Sequence, residues 1–246
     1  MARNWQGKRY WLIGASEGLG RALAHRLSQV GAEVIVSARS KDRLDELVAE
    51  LPNAARAVAV DVTDRAAIEA AAREIGPIDG MVYLAGVYWP MQATEWNPEQ
   101  AETMAEINFL GGLRAVGAVL PDMVAQGRGH IVLTGSLSGF RGLPGAIGYG
   151  ASKSGLMHLA ENLYADLRGS AVEVQLVNPG FIETRLTAKN DFKMPFIMSA
   201  DQAAEEMFAH LDRGGFKKNF PMLFSWLFRL SQFLPDWAYY RLFAPR

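Results

Sequence analysis

Short runs of apolar and β-branched residues alternate along the chain with longer segments of helical period. Six of these runs predict strands, at residues 9–13, 33–37, 56–60, 80–84, 130–134 and 173–177. A seventh strand is expected near 217–220. The runs are nearly continuous rather than alternating, which is typical of parallel strands covered by helices on both faces. The pattern therefore predicts an α/β fold with a doubly wound parallel sheet of about seven strands.

Two of the intervening segments carry helix-start signals. Asn97 and Ser199 are each followed three residues later by a glutamine, and Pro98 stands at a first helical position. Ser or Asn at the cap with Gln at the third helical position satisfies exposed backbone donors, and proline is tolerated where no donor is needed. We expect helices to begin just after both caps.

Composition narrows the class of protein. The 246 residues are 50% hydrophobic and 21% charged, which is enough to bury one core, and a single domain over 1–246 is expected. A formal charge of −1 gives no general attraction to nucleic acid. The absence of cysteine excludes thiolate chemistry, and four scattered histidines predict no metal site. No signal-peptide core opens the chain, so a cytoplasmic protein is expected.

A glycine-rich turn follows the first predicted strand. Gly14, Gly18 and Gly20 form a G-x-x-x-G-x-G pattern that leads into an amphipathic helix through Val30. Backbone without side chains can approach a pyrophosphate, and the amides at a helix start supply donors. With 24 glycines in the chain the pattern alone is weak. Its position at the first strand–helix junction favours a dinucleotide site over a turn without a ligand.

The end of the second strand bears on which dinucleotide is bound. An acid there would accept a bond from a free ribose 2′-hydroxyl, but the chain has Arg39, whose guanidinium suits a 2′-phosphate. Glu17 inside the turn would repel a phosphate placed nearby, and Arg39 as a solvated residue is the plainer alternative. NADP(H) is favoured as cofactor, and NAD(H) stays open.

A proton donor is suggested by Tyr149 and Lys153. The two are four residues apart, so they share one face of a helix, where the ammonium can lower the pKa of the phenol. The hydroxyl of Ser136, at the end of the fifth strand, could bond a substrate oxygen between them. Ser138 is the less favoured alternative for that hydroxyl.

Taken together, these residues resemble the classical short-chain dehydrogenase/reductase family over about residues 8–186. Asn108, Ser136, Tyr149 and Lys153 stand in the order and spacing of the family's Asn-Ser-Tyr-Lys tetrad. The resemblance implies that Tyr149 is the acid in reduction and the base in oxidation. It also implies that Lys153 binds the nicotinamide ribose and lowers the tyrosine's pKa, that Ser136 orients the carbonyl, and that Asn108 holds a proton-relaying water.

The same resemblance implies cofactor contacts along the chain. The segment 178–184 is similar to the family motif after the sixth strand, where Ile182 and Thr184 would contact the carboxamide. Asp61 and Val62 are similar to the family's adenine contact. The expected cofactor-binding residues are Gly14, Ser16, Glu17, Gly18, Leu19, Gly20, Arg39, Asp61, Val62, Ala85, Gly86, Tyr149, Lys153, Pro179, Gly180, Ile182 and Thr184.

Two positions depart from the family pattern. Ile13 stands where threonine is usual, and Tyr83-Leu84-Ala85-Gly86 replaces Asn-Asn-Ala-Gly. In the family, the second asparagine ties neighbouring strands together beside the cofactor. With Leu84 there, that polar link must be absent or made by another group, which puts the local rigidity in doubt.

The chain from 187 to 246 is expected to form a variable substrate loop and a C-terminal extension. Aromatic residues crowd the extension, and the run 222–234 holds a single charge, Arg229, with Trp226 inside it and Trp237 just beyond. Covering the substrate cleft or packing across a subunit boundary is favoured for this segment, and peripheral membrane contact is the alternative.

The predicted function is hydride transfer between NADP(H) and a carbonyl or secondary alcohol. Apolar residues expected near the site suggest an apolar small-molecule substrate: Tyr88, Trp89, Met91, Phe140, Leu143, Phe192, Met194 and Phe196. Family resemblance implies a homodimer or homotetramer packed through the helices that bear Asn108 and Tyr149. A membrane-docked lipid-modifying reductase and a non-catalytic NADP(H)-sensing protein remain alternatives.

Overall fold

One seven-stranded parallel sheet organises the computed structural model, which describes residues 3–244. The strand order is β3-β2-β1-β4-β5-β6-β7. The strands are β1 (Arg9–Ile13), β2 (Glu33–Ser37), β3 (Ala55–Ala57), β4 (Gly80–Tyr83), β5 (Gly129–Thr134), β6 (Val172–Pro179) and β7 (Lys217–Phe220). Because the order reverses between β1 and β4, their carboxyl ends border a crevice, the usual ligand site of such sheets. The predicted doubly wound fold is confirmed.

The third strand is shorter than the sequence pattern predicts. The ladder with β2 covers only Ala55–Ala57, not residues 56–60. Beyond it the chain stays extended, and the amides of Val58 and Val60 bond the carbonyls of Val36 and Ala38. Both valines pack into the core, so the hydrophobic run in the sequence extends beyond the last residue that pairs with β2 in the ladder.

The described residues form nine α-helices, of which α1 to α7 connect the strands and cover both faces of the sheet, while α8 and α9 follow β7. They are α1 (Gly18–Gln29), α2 (Lys41–Glu50), α3 (Arg65–Ile75), α4 (Pro98–Ala105), α5 (Gly111–Ala125), α6 (Ile147–Asp166), α7 (Ala200–Arg213), α8 (Met222–Ser231) and α9 (Asp236–Phe243). The predicted caps are confirmed. Asn97 accepts from the Gln100 amide, and Ser199 forms a reciprocal capping box with Gln202.

Two hydrophobic layers hold the helices on the sheet. Successive residues of β1 face opposite layers: Leu12 packs with residues of α1, α2 and α7, whereas Trp11 and Ile13 pack with residues of α3, α5 and α6. A strand buried on both faces needs apolar residues at every position, which explains the continuous rather than alternating runs.

A long helical stretch runs from Pro98 to Ala125. It comprises α4, a π-helical turn at Glu106–Leu110 and α5. By length and composition this 28-residue stretch could cross a membrane. In the fold, Ala115, Val116 and other α5 residues are buried in the layer shared with α3 and α6.

A buried histidine connects three strands of the sheet by hydrogen bonds, far from the crevice. His130 Nδ1 lies 2.9 Å from the Tyr10 hydroxyl, and Nε2 lies 2.8 Å from Gln175 Oε1. The Gln175 amide nitrogen donates to the carbonyls of His210 and Gly215, so its oxygen is free to accept from Nε2. The network is satisfied by a neutral imidazole, and burial lowers the pKa of His130 to about 3.

We expect His130 to make the fold acid-sensitive. The unfolded chain takes up a proton near pH 6.5 and the folded chain only near pH 3, so stability falls as pH drops between these values. Uptake of one additional proton on unfolding changes the free energy of unfolding by about 1.4 kcal/mol per pH unit. His130→Gln should reduce the slope of unfolding free energy between pH 6.5 and 5, measured by urea denaturation. The exposed His158→Gln is the control, and an unchanged slope in His130→Gln would contradict the assignment.

Candidate active site

Tyr149 and Lys153 lie in the first turns of α6, above the carboxyl end of β5. Lys153 is 4% exposed, and its Nζ donates to the carbonyl of Thr134, the last residue of β5, at 2.8 Å. The same nitrogen lies 5.8 Å from the centroid of the Tyr149 ring. The two side chains therefore share one helix face, as their spacing predicts, and the lysine is anchored to the sheet.

Burial dominates the electrostatics of this pair. Burial raises the pKa of Tyr149 to about 12, and the neighbouring Ser136 hydroxyl opposes that rise. Burial also lowers the pKa of Lys153 to about 8. Desolvation is thus the largest influence on the phenol, while the lysine donates to a backbone carbonyl, so the expected lowering of the phenol's pKa by the ammonium stays a prediction.

Ser136 follows β5 by two residues and faces the same space. Its Oγ lies 2.9 Å from Ser138 Oγ and accepts from the Ser138 amide at 3.2 Å. The two serines considered from the sequence thus form one hydrogen-bonded pair, with Ser136 as the one that neighbours the tyrosine. On the other side, the Tyr88 ring packs edge-on against Tyr149, with centroids 5.1 Å apart.

Asn108 sits in the π-helical turn and is fully buried. Its Oδ1 accepts from the Val87 amide at 2.7 Å, and its Nδ2 donates to the Val87 carbonyl and to Ser152 Oγ, both at 3.0 Å. A Cβ placed on Gly86 would lie 3.4 Å from Asn108 Oδ1 and 3.6 Å from Lys153 Nζ. The asparagine, the lysine and the glycine therefore border one space.

The glycine-rich turn between β1 and α1 packs tightly against two other loops. A Cβ on Gly14 would stand 2.4 Å from the backbone nitrogen of Ala85, and one on Gly18 would stand 2.9 Å from the Thr184 side chain. A Cβ on Gly20 would collide with the Gly14 carbonyl at 2.2 Å. Gly14 also has a φ of +97°, which disfavours side chains. The turn, the loop after β4 and the loop after β6 thus meet at the crevice.

Three arginines border this turn, of which the sequence analysis identified one. Arg39 is exposed just beyond β2 and forms no ion pair with any residue between 3 and 244. Glu17 binds Arg185 at 2.7 Å and Arg43 at 3.3 Å. The carboxylate is therefore partnered, which weakens the expectation that it repels a phosphate. Arg43 lies in the first turn of α2, and its place in the sequence does not indicate that it contacts the glycine-rich turn.

The remaining predicted cofactor residues lie at the same edge of the sheet. The carboxylate of Asp61 accepts hydrogen bonds from the amide and the hydroxyl of Thr63. Val62 is buried, and its side chain borders the position where a Cβ on Gly111 would stand. Leu19 packs into the core under α1, so only its backbone can face a ligand. Of the others, Ser16 follows β1, Pro179 ends β6, and Gly180 and Ile182 follow it.

Comparison with known proteins identifies the family. The family model for short chain dehydrogenases matches residues 8–194. The chain belongs to the short-chain dehydrogenase family. It is 38% identical over 232 residues to an uncharacterized oxidoreductase of Myxococcus xanthus, with 92% of each chain covered. It is 34% identical to a 3-oxoacyl-[acyl-carrier-protein] reductase of Thermotoga maritima, with 75% of this chain and 78% of the reductase covered.

A solved structure supports the same assignment. A short-chain dehydrogenase from Sphingobium yanoikuyae, in complex with NADPH, superposes with a TM-score of 0.81 at 27% identity. The match covers 93% of this chain and 97% of the other. The protein is therefore an oxidoreductase with the fold of this family.

Where this short-chain dehydrogenase departs from the family motif, a tyrosine makes a polar link of a different kind. Tyr83 is fully buried at the end of β4, and its hydroxyl donates to the Ile107 carbonyl in the π-helical turn. A Cβ on Gly111 would lie 2.3 Å from that hydroxyl, so the glycine makes room for it. This bond connects the sheet to the turn that bears Asn108, and it differs from the strand-to-strand link that an asparagine in place of Leu84 would make.

We expect Tyr83 and Gly111 to be energetically coupled. Tyr83→Phe leaves a buried carbonyl without its donor and should cost about 1–3 kcal/mol of unfolding free energy. Gly111→Ala should destabilise the protein through the clash with the hydroxyl. In the Tyr83→Phe background the same alanine should cost less, as measured by urea denaturation of the four proteins in a double-mutant cycle. Strictly additive losses would contradict this arrangement.

Proposed function

We propose that the protein transfers hydride between NADP(H) and the carbonyl carbon of a small apolar ketone or aldehyde, or the corresponding alcohol. The observation that carries this proposal is the convergence of Tyr149, Ser136 and Lys153 on a space bordered by Gly86 and the glycine-rich turn. An acid, a second donor and a cation in one largely desolvated place are the groups that carbonyl reduction needs.

The residues present fit a dinucleotide. The glycines let the turn pack closely against the loops after β4 and β6, and α1 begins there without a side-chain cap, so its first amides are left to donate to a bound phosphate. Arg39 and Arg43 would hold a 2′-phosphate, in keeping with the NADPH bound by the Sphingobium relative. When bound, the nicotinamide supplies or accepts the hydride.

In the reduction, the substrate oxygen gains negative charge as the carbon takes up hydride. Ser136 donates a hydrogen bond to that oxygen, and Tyr149 gives it the proton that completes the alcohol. The tyrosine is protonated at neutral pH, because burial raises its pKa to about 12, so it holds the proton that the reduction requires. Lys153 would bind the ribose, and Asn108 would hold a water for proton return. In the oxidation the same steps run in reverse.

Substrate choice is assigned to the variable segment 187–246. The Lys189 ammonium donates to the Tyr88 carbonyl at 2.7 Å and lies over the Trp89 ring, so this segment closes over the site from the side of β4. Phe181 and Phe192 pack edge-on at 5.8 Å and add an apolar wall. An apolar carbonyl compound suits these surroundings. The reductase name of the Thermotoga relative favours reduction as the direction.

A homodimer or homotetramer built through α5 and α6 is part of the proposal. Leu113 and Val124 on α5 are 40% and 54% exposed, and Tyr164 on α6 is 39% exposed. Exposed apolar side chains on two neighbouring helices are suited to burial against a second copy. The cytoplasmic location expected from the sequence stays a prediction.

Removal of the acid should abolish turnover and spare binding. Tyr149→Phe should lower NADPH-dependent carbonyl reduction by about 10²–10⁴-fold, the typical contribution of a positioned acid. NADPH binding, measured by the enhancement of its fluorescence, should stay within twofold of the unmodified protein. Retention of more than a tenth of the activity would show that another group donates the proton.

Cofactor preference should depend on the arginine after β2. Arg39→Asp should reduce kcat/KM for NADPH and leave that for NADH equal or higher, because the new carboxylate repels a 2′-phosphate and accepts from a 2′-hydroxyl. Arg168→Asp, an exposed charge at the opposite end of α6, is the matched control. An unchanged ratio of the two kcat/KM values in Arg39→Asp would refute NADP(H) selection by this residue.

A further inference from the structure

Helix α8 has two apolar faces, and only one of them is used inside the fold. Phe224 and Phe228 are buried against Leu137, which directly follows Ser136. The same cluster includes the half-buried Phe140 and Phe181. The inner face of α8 therefore supports the loop that carries the candidate catalytic serine.

The opposite face of α8 is exposed and equally apolar. Its side chains recur at helical spacing and continue through the turn into α9. We refer to these residues as the outer stripe: Leu223 (72% exposed), Trp226 (45%), Leu227 (45%), Leu230 (58%), Phe233 (86%) and Trp237 (74%). A helix that is apolar all round is normally covered on every side, so this stripe is expected to have a partner.

Two exposed aromatic rings of the substrate loop lie beside the inner cluster of α8. Phe196 is 56% exposed, and its ring packs on Phe224 with centroids 5.7 Å apart. Its φ of +57° lies in the left-handed region, which a bulky residue rarely adopts. Phe192, 51% exposed, packs on Phe181 of the same cluster. The fold thus leaves further apolar surface exposed close to the loop that carries Ser136.

The charge of the C-terminal extension indicates the partner's chemistry. The extension carries one acid, Asp236, which pairs with Arg141. Its Arg229 guanidinium lies 4.7 Å above the Trp226 ring. The cations of α8 and α9 are Arg229 and Arg241, and neither forms an ion pair with a described residue. Lys217 and Lys218 on β7 pair with Glu161 and Glu206 and add no free charge. The two arginines therefore place positive charge next to the apolar face, in a chain whose formal charge is −1.

We propose that the outer stripe docks on an anionic lipid bilayer and so brings the candidate active site close to it, because the inner face of the same helix packs beside Ser136. Tryptophan rings beside basic groups are suited to the boundary between headgroups and acyl chains. The most exposed apolar side chains, Phe233 and Trp237, lie at the turn between α8 and α9, where a deformable surface can take them up. The substrate would then be a carbonyl or alcohol dissolved in the bilayer, a step that rests on the proposed function.

Flotation of the full-length protein with vesicles tests the docking. With vesicles of phosphatidylcholine and phosphatidylglycerol, we expect most of the protein to float, and at least tenfold less partitioning with phosphatidylcholine alone. Trp226→Glu and Leu230→Glu should each weaken binding to the anionic vesicles by at least tenfold. Trp96→Glu is the matched control, because Trp96 is 56% exposed outside the outer stripe. NADPH binding, measured on every variant, verifies that the fold is intact.

Several outcomes would overturn the docking proposal. Failure of the unmodified protein to float, or equal flotation of Trp226→Glu, would do so. Sedimentation velocity tests a second copy as the partner: a particle mass that falls in Leu230→Glu, without vesicle binding by the unmodified protein, would assign the stripe to self-association. Turnover of a panel of apolar ketones and aldehydes, supplied in vesicles and in detergent micelles, is assayed in parallel. Its absence alongside normal flotation would refute the proposed function and leave the docking intact.

Discussion

The buried amide of Asn108 holds together the three elements that frame the crevice. It exchanges two hydrogen bonds with the backbone of Val87 after β4 and donates a third to Ser152 on α6. Each of these groups is buried or half-buried, so loss of any bond would leave a polar atom without a partner. The π-helical turn carries the asparagine, and the Tyr83 hydroxyl bonds that turn to the sheet. The positions of Lys153 and Gly86 follow from this arrangement.

Much of the fold could be predicted from the sequence because its signals are local. Continuous apolar runs located the strands, and Asn97 and Ser199 located two helix starts. The exception is the run 56–60, where the hydrophobic pattern reports burial and cannot report where ladder pairing stops. Periodicity identifies which side chains are inside, whereas the end of a strand depends on the path of its neighbour.

The sequence predicted which side chains lie together at the candidate site, but it predicted their pKa values and ion pairs only in part. Residue spacing brought Tyr149 and Lys153 together, yet their pKa values are governed by desolvation, which is a property of the assembled fold. The contact between Glu17 and Arg185 joins residues far apart in the chain, and no local pattern encodes it. Similarly, the sequence revealed an aromatic extension but not that one face of α8 is internal and the other is exposed.

The fit between Tyr83 and Gly111 also constrains how this protein can change over generations. A phenol oxygen and a methyl group would occupy the same space, and the Val62 side chain borders that space as well. A side chain at Gly111 is therefore most strongly disfavoured while Tyr83 keeps its oxygen, because that combination overfills the site. Loss of the oxygen first is the less crowded path between this chain and a relative with a larger residue at that point of the helix.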